Sequence, residues 1–250
     1  LAPAPAPFPT EAVYGLRAGL AVIARRPDDV VRVAYGRGLE HDAAEIARWA
    51  ASRRVPCAEL LDAEIERAAG STHHEGLCVV TRPRRWAAPR DLAQELVRAR
   101  GAAIALDRVR NPYNIGAVLR SAAFFGLTGA LLGAPAPHPA LAPDAVRVAE
   151  GGAEHLLLSR TTDLADTLGR LRAEGVRVVG TDGASRTSAL GFAFERPLVI
   201  VLGHEREGLG PRVRAQCDAV VAIPGTSAVE SLNVAVAAGV LMAEIRRGRS

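Results

Sequence analysis

The second half of the chain repeats one pattern. A short, wholly apolar run ends in small or polar residues, and a stretch at helical spacing follows. The runs are 101–106, 129–132, 176–179, 198–202 and 219–223, and the helical stretches include 115–125, 164–174 and 231–247. A strand that is apolar along its whole length must be covered on both faces, the condition of a parallel sheet between helices. The pattern predicts an α/β fold with a doubly wound sheet and active loops at the strand C-termini. Aromatic residues are only 4% of the chain, so the core is built from Ala, Val, Leu and Ile, and a broad stacking surface for single strands is disfavoured.

The first half alternates strands and helices on a smaller scale. Ala12 to Arg25 reads as a helix, Val30–Tyr35 as a strand, and Glu40 to Arg53 as an amphipathic helix with Ile46, Trp49 and Ala50 inward. A short strand follows over Pro56–Leu60, then a helix to Ala69 capped by Asp62, then a strand over Gly76–Thr81. Arg82 to Arg90, with two prolines and four arginines, breaks the periodicity and reads as a linker. Asp91 to Arg100 is a helix. The expected organisation is an extended tail (1–10), a small α/β domain (11–82), a linker with its first helix (83–100) and a larger domain (101–250).

All 31 basic residues are Arg. Without a Lys the chain is neither a P-loop NTPase nor a pyridoxal-phosphate enzyme. The formal net charge of +4 suits a partner with phosphates without requiring one. Cys57, Cys78 and Cys217 form no CxxC pair and read as reduced apolar residues of a cytoplasmic protein. No apolar run reaches membrane length, and the Ala/Pro stretch at the start lacks the basic opening of a signal peptide. The chain starts at Leu1 rather than Met, which points to a trimmed or processed chain. His73, His74 and Cys78 sit at a turn without a fourth ligand, so no metal is expected. Gly36 and Gly38 lack the third glycine of a dinucleotide fingerprint, and no G-x-S-x-G elbow is present.

Three segments carry chemistry. In the first, a strand ends at Asp107, a turn opens at Asn111-Pro112, and Asn114 stands where a helix should start. Its side chain can cap the helix or face a ligand, and Gly116 and Arg120 share a helical face. Capping Asn, packing Gly and surface Arg is the equally open structural alternative. In the second, the apolar strand 198–202 runs into Gly203, His204 and Glu205. A carboxylate at that sheet edge is a site position, although a surface ion pair explains it as well. In the third, a strand ends at Ile223-Pro224, a small-residue loop follows, and Ser231 and Asn233 open a long apolar helix.

Together these segments, N-x-G-x-x-x-R, L-G-x-E-x-x-G-L and I-P followed by S-L-N-V, resemble the SpoU/TrmH family of RNA 2′-O-methyltransferases. The resemblance covers roughly 104–247. The stretches 72–76 and 149–155 resemble members that carry an RNA-binding domain in front. The resemblance implies a C-terminal trefoil knot, a homodimer, an RNA partner (rRNA or tRNA) and S-adenosylmethionine as cofactor. It implies that Thr181, Asp182, Gly183, Leu202, Gly203, His204, Glu205, Ile223, Pro224, Gly225, Ser231, Leu232 and Asn233 line the cofactor site. Arg120 and Asn114 then approach from the partner subunit. The catalytic set is Arg120, Asn114, Glu205, Ser231 and Asn233, with Arg110 and Arg120 as RNA contacts; the linker residues Arg84 and Arg85, beside Trp86, are further candidates to grip phosphates, a solvated linker being the equally open alternative. The chain departs from the usual Asp at Asn111, Met at Gly225, Gly at Ser227 and Ser at Ala235.

In the implied reaction a sulfonium methyl passes to a ribose 2′-oxygen, and the 2′-hydroxyl makes the substrate RNA. A guanidinium holds its proton too tightly to act as base, so Arg120 is expected to hold a phosphate and stabilise developing charge. Asn114 and Asn233 orient groups, and Glu205 positions Arg120 or favours the sulfonium. The competing expectation is a knotted RNA-binding protein without catalysis.

Overall fold

The computed structural model describes residues 8–133, 141–226 and 228–248. Most of the expected tail, and Ser227, lie outside them. In chain order the strands and helices are β1 (Glu11–Tyr14), α1 (Leu16–Arg25), β2 (Val30–Tyr35), α2 (Glu40–Arg53), β3 (Cys57–Glu59), α3 (Asp62–Ala69) and β4 (Leu77–Thr81). They continue as α4 (Pro89–Ala99), β5 (Ala102–Asp107), α5 (Pro112–Phe124), β6 (Gly129–Gly133), α6 (Pro143–Val148), β7 (Leu157–Thr161) and α7 (Leu164–Ala173). The last are β8 (Arg177–Thr181), β9 (Leu198–Leu202), α8 (Pro211–Arg214), β10 (Ala219–Val221) and α9 (Val234–Arg247).

The chain divides into two compact units, one running to Arg85 and joined by Ala142–His155, the other made of the remainder. The larger domain is therefore not the contiguous 101–250: fourteen of those residues cluster with the first unit. In that unit the sheet order is β1-β4-β2-β3, and only β2 and β3 run parallel. Ile65 and Ala69 of α3 pack on Tyr14, Cys78 and Val80. The helix expected from Ala12 instead starts at Leu16. Gly15, at φ 95°, turns the chain, and Ala12–Tyr14 pair with β4. Asp62 is the first helical residue rather than the cap; the Glu64 carboxylate accepts the Leu61 N–H.

The segment from Ala142 to His155 is held by polar contacts. The Tyr14 hydroxyl donates to Asp144 at 2.7 Å. Glu154, its side chain 1% exposed, accepts from Arg26 at 2.9 Å and from Arg84. Arg84 also donates to the Ala153 carbonyl at 3.1 Å. Burial pulls the Arg84 pKa down, against the pull of Glu154. This corrects the expectation of Arg84 as an RNA contact, because its guanidinium is spent inside the unit. Arg85 remains exposed, 3.7 Å from Asp29.

The second unit is a six-stranded parallel sheet in the order β10-β8-β9-β5-β6-β7. Leu92 and Leu96 of α4 and Leu168 and Leu171 of α7 cover one face, over Ala103, Ala105, Val199 and Val201. By strand alternation the buried Ile104 and Ile200 face the other side. α5 and α9 pack against each other. β5 and β9 are neighbours from which the chain departs in opposite directions. The crevice beyond their C-terminal ends is therefore a topological switch point, the usual place for a ligand in such sheets.

Removing one partner of a buried ion pair strands the other charge. Glu154→Gln is expected to destabilise the chain by about 3–5 kcal/mol, read as a lower denaturant midpoint. An unchanged midpoint would mean that Glu154 contributes no net stability.

Candidate active site

Three loops meet the sheet edge at the switch point. β5 ends in Asp107, and α5 starts at Pro112 with Asn111 as its cap, whose Oδ1 accepts the Tyr113 N–H at 2.9 Å. The cap is thus Asn111, not Asn114. An Asp would cap in the same way, so the departure at Asn111 leaves the helix start intact. Asn114, freed from capping, donates through Nδ2 to Glu205 Oε1 at 2.8 Å. Its Oδ1 accepts from Asn233 Nδ2 at 3.1 Å. Asn233 uses its own Oδ1 to cap α9 through the Ala235 N–H at 2.9 Å. An ionised carboxylate only accepts, so Glu205 dictates which end of the Asn114 amide faces it, and Asn233 meets the other end.

Glu205 sits on a tight loop. His204 and Gly208 exchange backbone hydrogen bonds at 3.1 and 2.9 Å, and His204 Nδ1 accepts the Arg206 N–H at 3.3 Å. A Cβ on Gly203 would stand 2.2 Å from the Gly208 carbonyl carbon, so only glycine lets the loop close. At the end of the neighbouring β8, Thr181 Oγ1 donates to the Val201 carbonyl at 3.0 Å and the Asp182 N–H to the Val221 carbonyl at 3.0 Å.

Residues 101–243 match the model of the SpoU rRNA Methylase family. The chain belongs to that family. Over 249 aligned residues it is 36% identical to a Mycobacterium tuberculosis protein named "Uncharacterized tRNA/rRNA methyltransferase", spanning 96% of this chain and 75% of that one. It superposes with a TM-score of 0.78 and 26% identity on the SpoU methyltransferase AviRb of Streptomyces viridochromogenes, crystallised with AdoMet, over 96% of this chain and 90% of that one. An RNA 2′-O ribose methyltransferase, 20% identical with a TM-score of 0.76 over 96% and 89% of the two chains, shares the fold.

In this SpoU-family chain Asn114, Glu205 and Asn233 meet within a single subunit. The expectation that Asn114 arrives from a partner is corrected by its two contacts in its own chain. Arg120 is exposed, six residues beyond Asn114 and so about 240° around α5. It shares a stripe with Tyr113, Ala117 and Phe124 and does not face the Asn114 side of the helix. Ser231 and Leu232 are exposed ahead of the α9 cap, so Ser231 precedes the helix rather than opening it. The Asp182 carboxylate is engaged: Oδ1 accepts the Ala184 N–H at 2.8 Å and Oδ2 pairs with Arg214. Gly183, Pro224 and Gly225 are exposed, and Ile223 is half-buried. Arg110 is exposed between Asp107 and the α5 cap. Asp107 and Arg108 join these residues at the sheet edge; a charged pair closing a buried strand there is itself a signal in the sequence.

The stretch after Asp182 is tied down at several points. Ser185 Oγ donates to the Val220 carbonyl at 2.7 Å, and Ala222 bonds to both Thr187 and Ala189. The Gly191 N–H donates to Glu244 Oε1 on α9 at 2.7 Å. Arg247, and after it this N–H, hold the Glu244 carboxyl down at about 2 against an ordinary 4.5. A depressed acid stabilises the fold fully above its unfolded pKa and loses that contribution as pH falls through its folded one. The stability difference between the wild type and Glu244→Gln should be constant above pH 4.5 and shrink towards pH 2. Denaturation midpoints across that range would show it, and a pH-independent difference would remove Glu244 as the anchor.

Proposed function

We propose that the chain transfers a methyl group from S-adenosylmethionine to a ribose 2′-hydroxyl in structured ribosomal or transfer RNA. The observation that carries this is the hydrogen-bonded series Glu205–Asn114–Asn233 at the switch point. Family membership and the names of the relatives support RNA methylation. The AdoMet-bound AviRb structure supports the cofactor.

The residues present fit that cofactor. Among the described residues nothing stands within 4 Å of a Cβ built on Gly225, and only the Glu230 carbonyl, at 3.9 Å, approaches one on Gly183. These two loops therefore leave backbone open to a ligand. Leu232, 46% exposed, offers apolar contact, and Glu205 places a carboxylate where a cation would be favoured. Thr181, Gly183, Leu202, Gly203, Ile223–Gly225 and Leu232 would hold the group, which supplies an electrophilic methyl on a sulfonium.

The chain's own part is positioning. Glu205 and Asn233 fix both ends of the Asn114 amide, so it meets the substrate already oriented. Arg120 holds a phosphate and stabilises negative charge developing on the 2′-oxygen. Its stripe, with Tyr113 49% and Phe124 83% exposed, lies on one of the two packed helices whose other member exposes Val236 at 53%. An apolar face of this kind calls for a cover, and in this reading a second copy supplies it. The homodimer then brings Arg120 to the partner's Asn114 and Glu205. A trefoil knot belongs to the same reading, supported by the pairing of Thr187 and Ala189 with Ala222. The first unit presents the RNA, and the protein works in the cytoplasm.

The test is transfer of labelled methyl from S-adenosylmethionine to unmethylated rRNA and tRNA, with ribose methylation mapped by resistance to alkaline hydrolysis. Methyl on a base would overturn the 2′-O assignment, and tight RNA binding without transfer would leave a binding protein. Arg120→Ala should lose on the order of 100-fold or more in turnover, with donor affinity by calorimetry unchanged. If the site is shared, co-expressed Arg120→Ala and Asn114→Ala chains should recover about a quarter of wild-type turnover, because half the dimers carry one intact site. No recovery would mean that Arg120 and Asn114 of each site come from the same chain.

A further inference from the structure

The end of β5 carries a charged pair that the reaction described above leaves unused. Asp107, 4% exposed, accepts the Gly210 N–H through Oδ2 at 2.8 Å. Arg108 lies across the same carboxylate, with Nε 3.3 Å from Oδ1 and Nη2 3.3 Å from Oδ2. The outer side of its guanidinium reaches the Glu205 loop: Nη2 donates to the Gly208 carbonyl at 3.0 Å, and Nη1 pairs with Glu207. The Arg108 backbone is left-handed, at φ 61°, while its N–H donates to the Gly133 carbonyl at the end of β6 at 2.8 Å. A side chain that is not glycine is costly in that conformation and persists where its surroundings over-determine it.

We propose that Arg108 is a positioning residue. Seated on Asp107, it grips Glu207 and the Gly208 carbonyl and so fixes the Glu205 loop against the end of β5. The planar fork matters, since four donor contacts leave its three nitrogens at once, two to Asp107 and two to the loop. The single nitrogen of a lysine cannot reach a carboxylate on one side and a loop carbonyl and second carboxylate on the other. Glu205 is thereby held from two directions. Asn114 takes its carboxylate, and Arg108 takes the residues two and three further along the loop. The effect on turnover rests on the methyltransferase reading, whereas the clamp itself does not.

The two can be separated. Arg108→Gly removes the guanidinium while suiting the left-handed backbone, and Glu207→Gln removes one anchor without touching that backbone. Hydrogen exchange on the full-length protein reads the clamp directly. The Gly208 and Gly210 amides should exchange faster by about tenfold or more in Arg108→Gly, the factor that a charged hydrogen bond carries. Glu207→Gln should give a smaller change in the same direction and add nothing in the double variant. Turnover should fall by about 10–100-fold in Arg108→Gly, with the KM for RNA unchanged. Unchanged exchange at both amides would overturn the clamp whatever the activity. Faster exchange with unchanged turnover would overturn the positioning role. A wild-type chain that methylates no RNA would remove that role together with the proposed function, while the exchange result still decides the clamp.

Discussion

The pairing of β5 with β9 is the constraint on which the site depends. Leu106 lies opposite Leu202, so the next residues on the two strands are Asp107 and Gly203. Because the strands run parallel, both end on the same edge. Peptide groups there have exhausted the ladder and must find partners in the loops. The observed partners are specific: Asp107 takes the Gly210 N–H, and the Arg108 N–H takes the Gly133 carbonyl. A shift of one residue in this register would turn each strand's side chains to the opposite face and carry Asp107 away from the loop it anchors.

On that edge a single amide does the linking. Asn114 lies in the first turn of α5 and Asn233 at the cap of α9, so the Glu205 carboxylate is bound at the start of one helix, which is itself tied to the start of another. A negative charge is favoured at such positions by the helix dipole and by unpaired backbone N–H groups. The chain of hydrogen bonds therefore aligns two helices and one loop without a buried ion pair. Arg120, six residues further along the same helix, does not share the Asn114 side.

Much of this was legible in the sequence, and what was not has physical reasons. β5, β6, β8 and β9 were readable because burial on both faces makes a strand continuously apolar. β7 was not, because this edge strand ends in Ser159, Arg160 and Thr161 with Arg160 exposed. β1 was absorbed into a helix because four residues are too few to distinguish the two periods. Asn114, Glu205 and Asn233 could be singled out by motif, but Asn111 and Asn114 are both polar residues near a helix start, and only the backbone shows which one caps. Arg84 was misread because its partner Glu154 lies 70 residues further on, and no local pattern carries that distance.

That separation also says how the first unit is made. Its sheet is complete by Thr81, yet Arg26 and Arg84 stay without Glu154, and Tyr14 without Asp144, until the chain has been extended through His155. Arg26 keeps Asp29 at 3.7 Å, but the Arg84 guanidinium hydrogen-bonds to Ala153 and Glu154, so the unit reaches its final packing only after β5 and β6 exist in the chain. Long-range closure of this kind is paid in loop entropy before its contacts are gained, which makes the last step of the first unit slower than the formation of its helices. The segment Ala142–His155 is therefore part of the first unit, and a boundary drawn after Arg85 would cut through a buried ion pair.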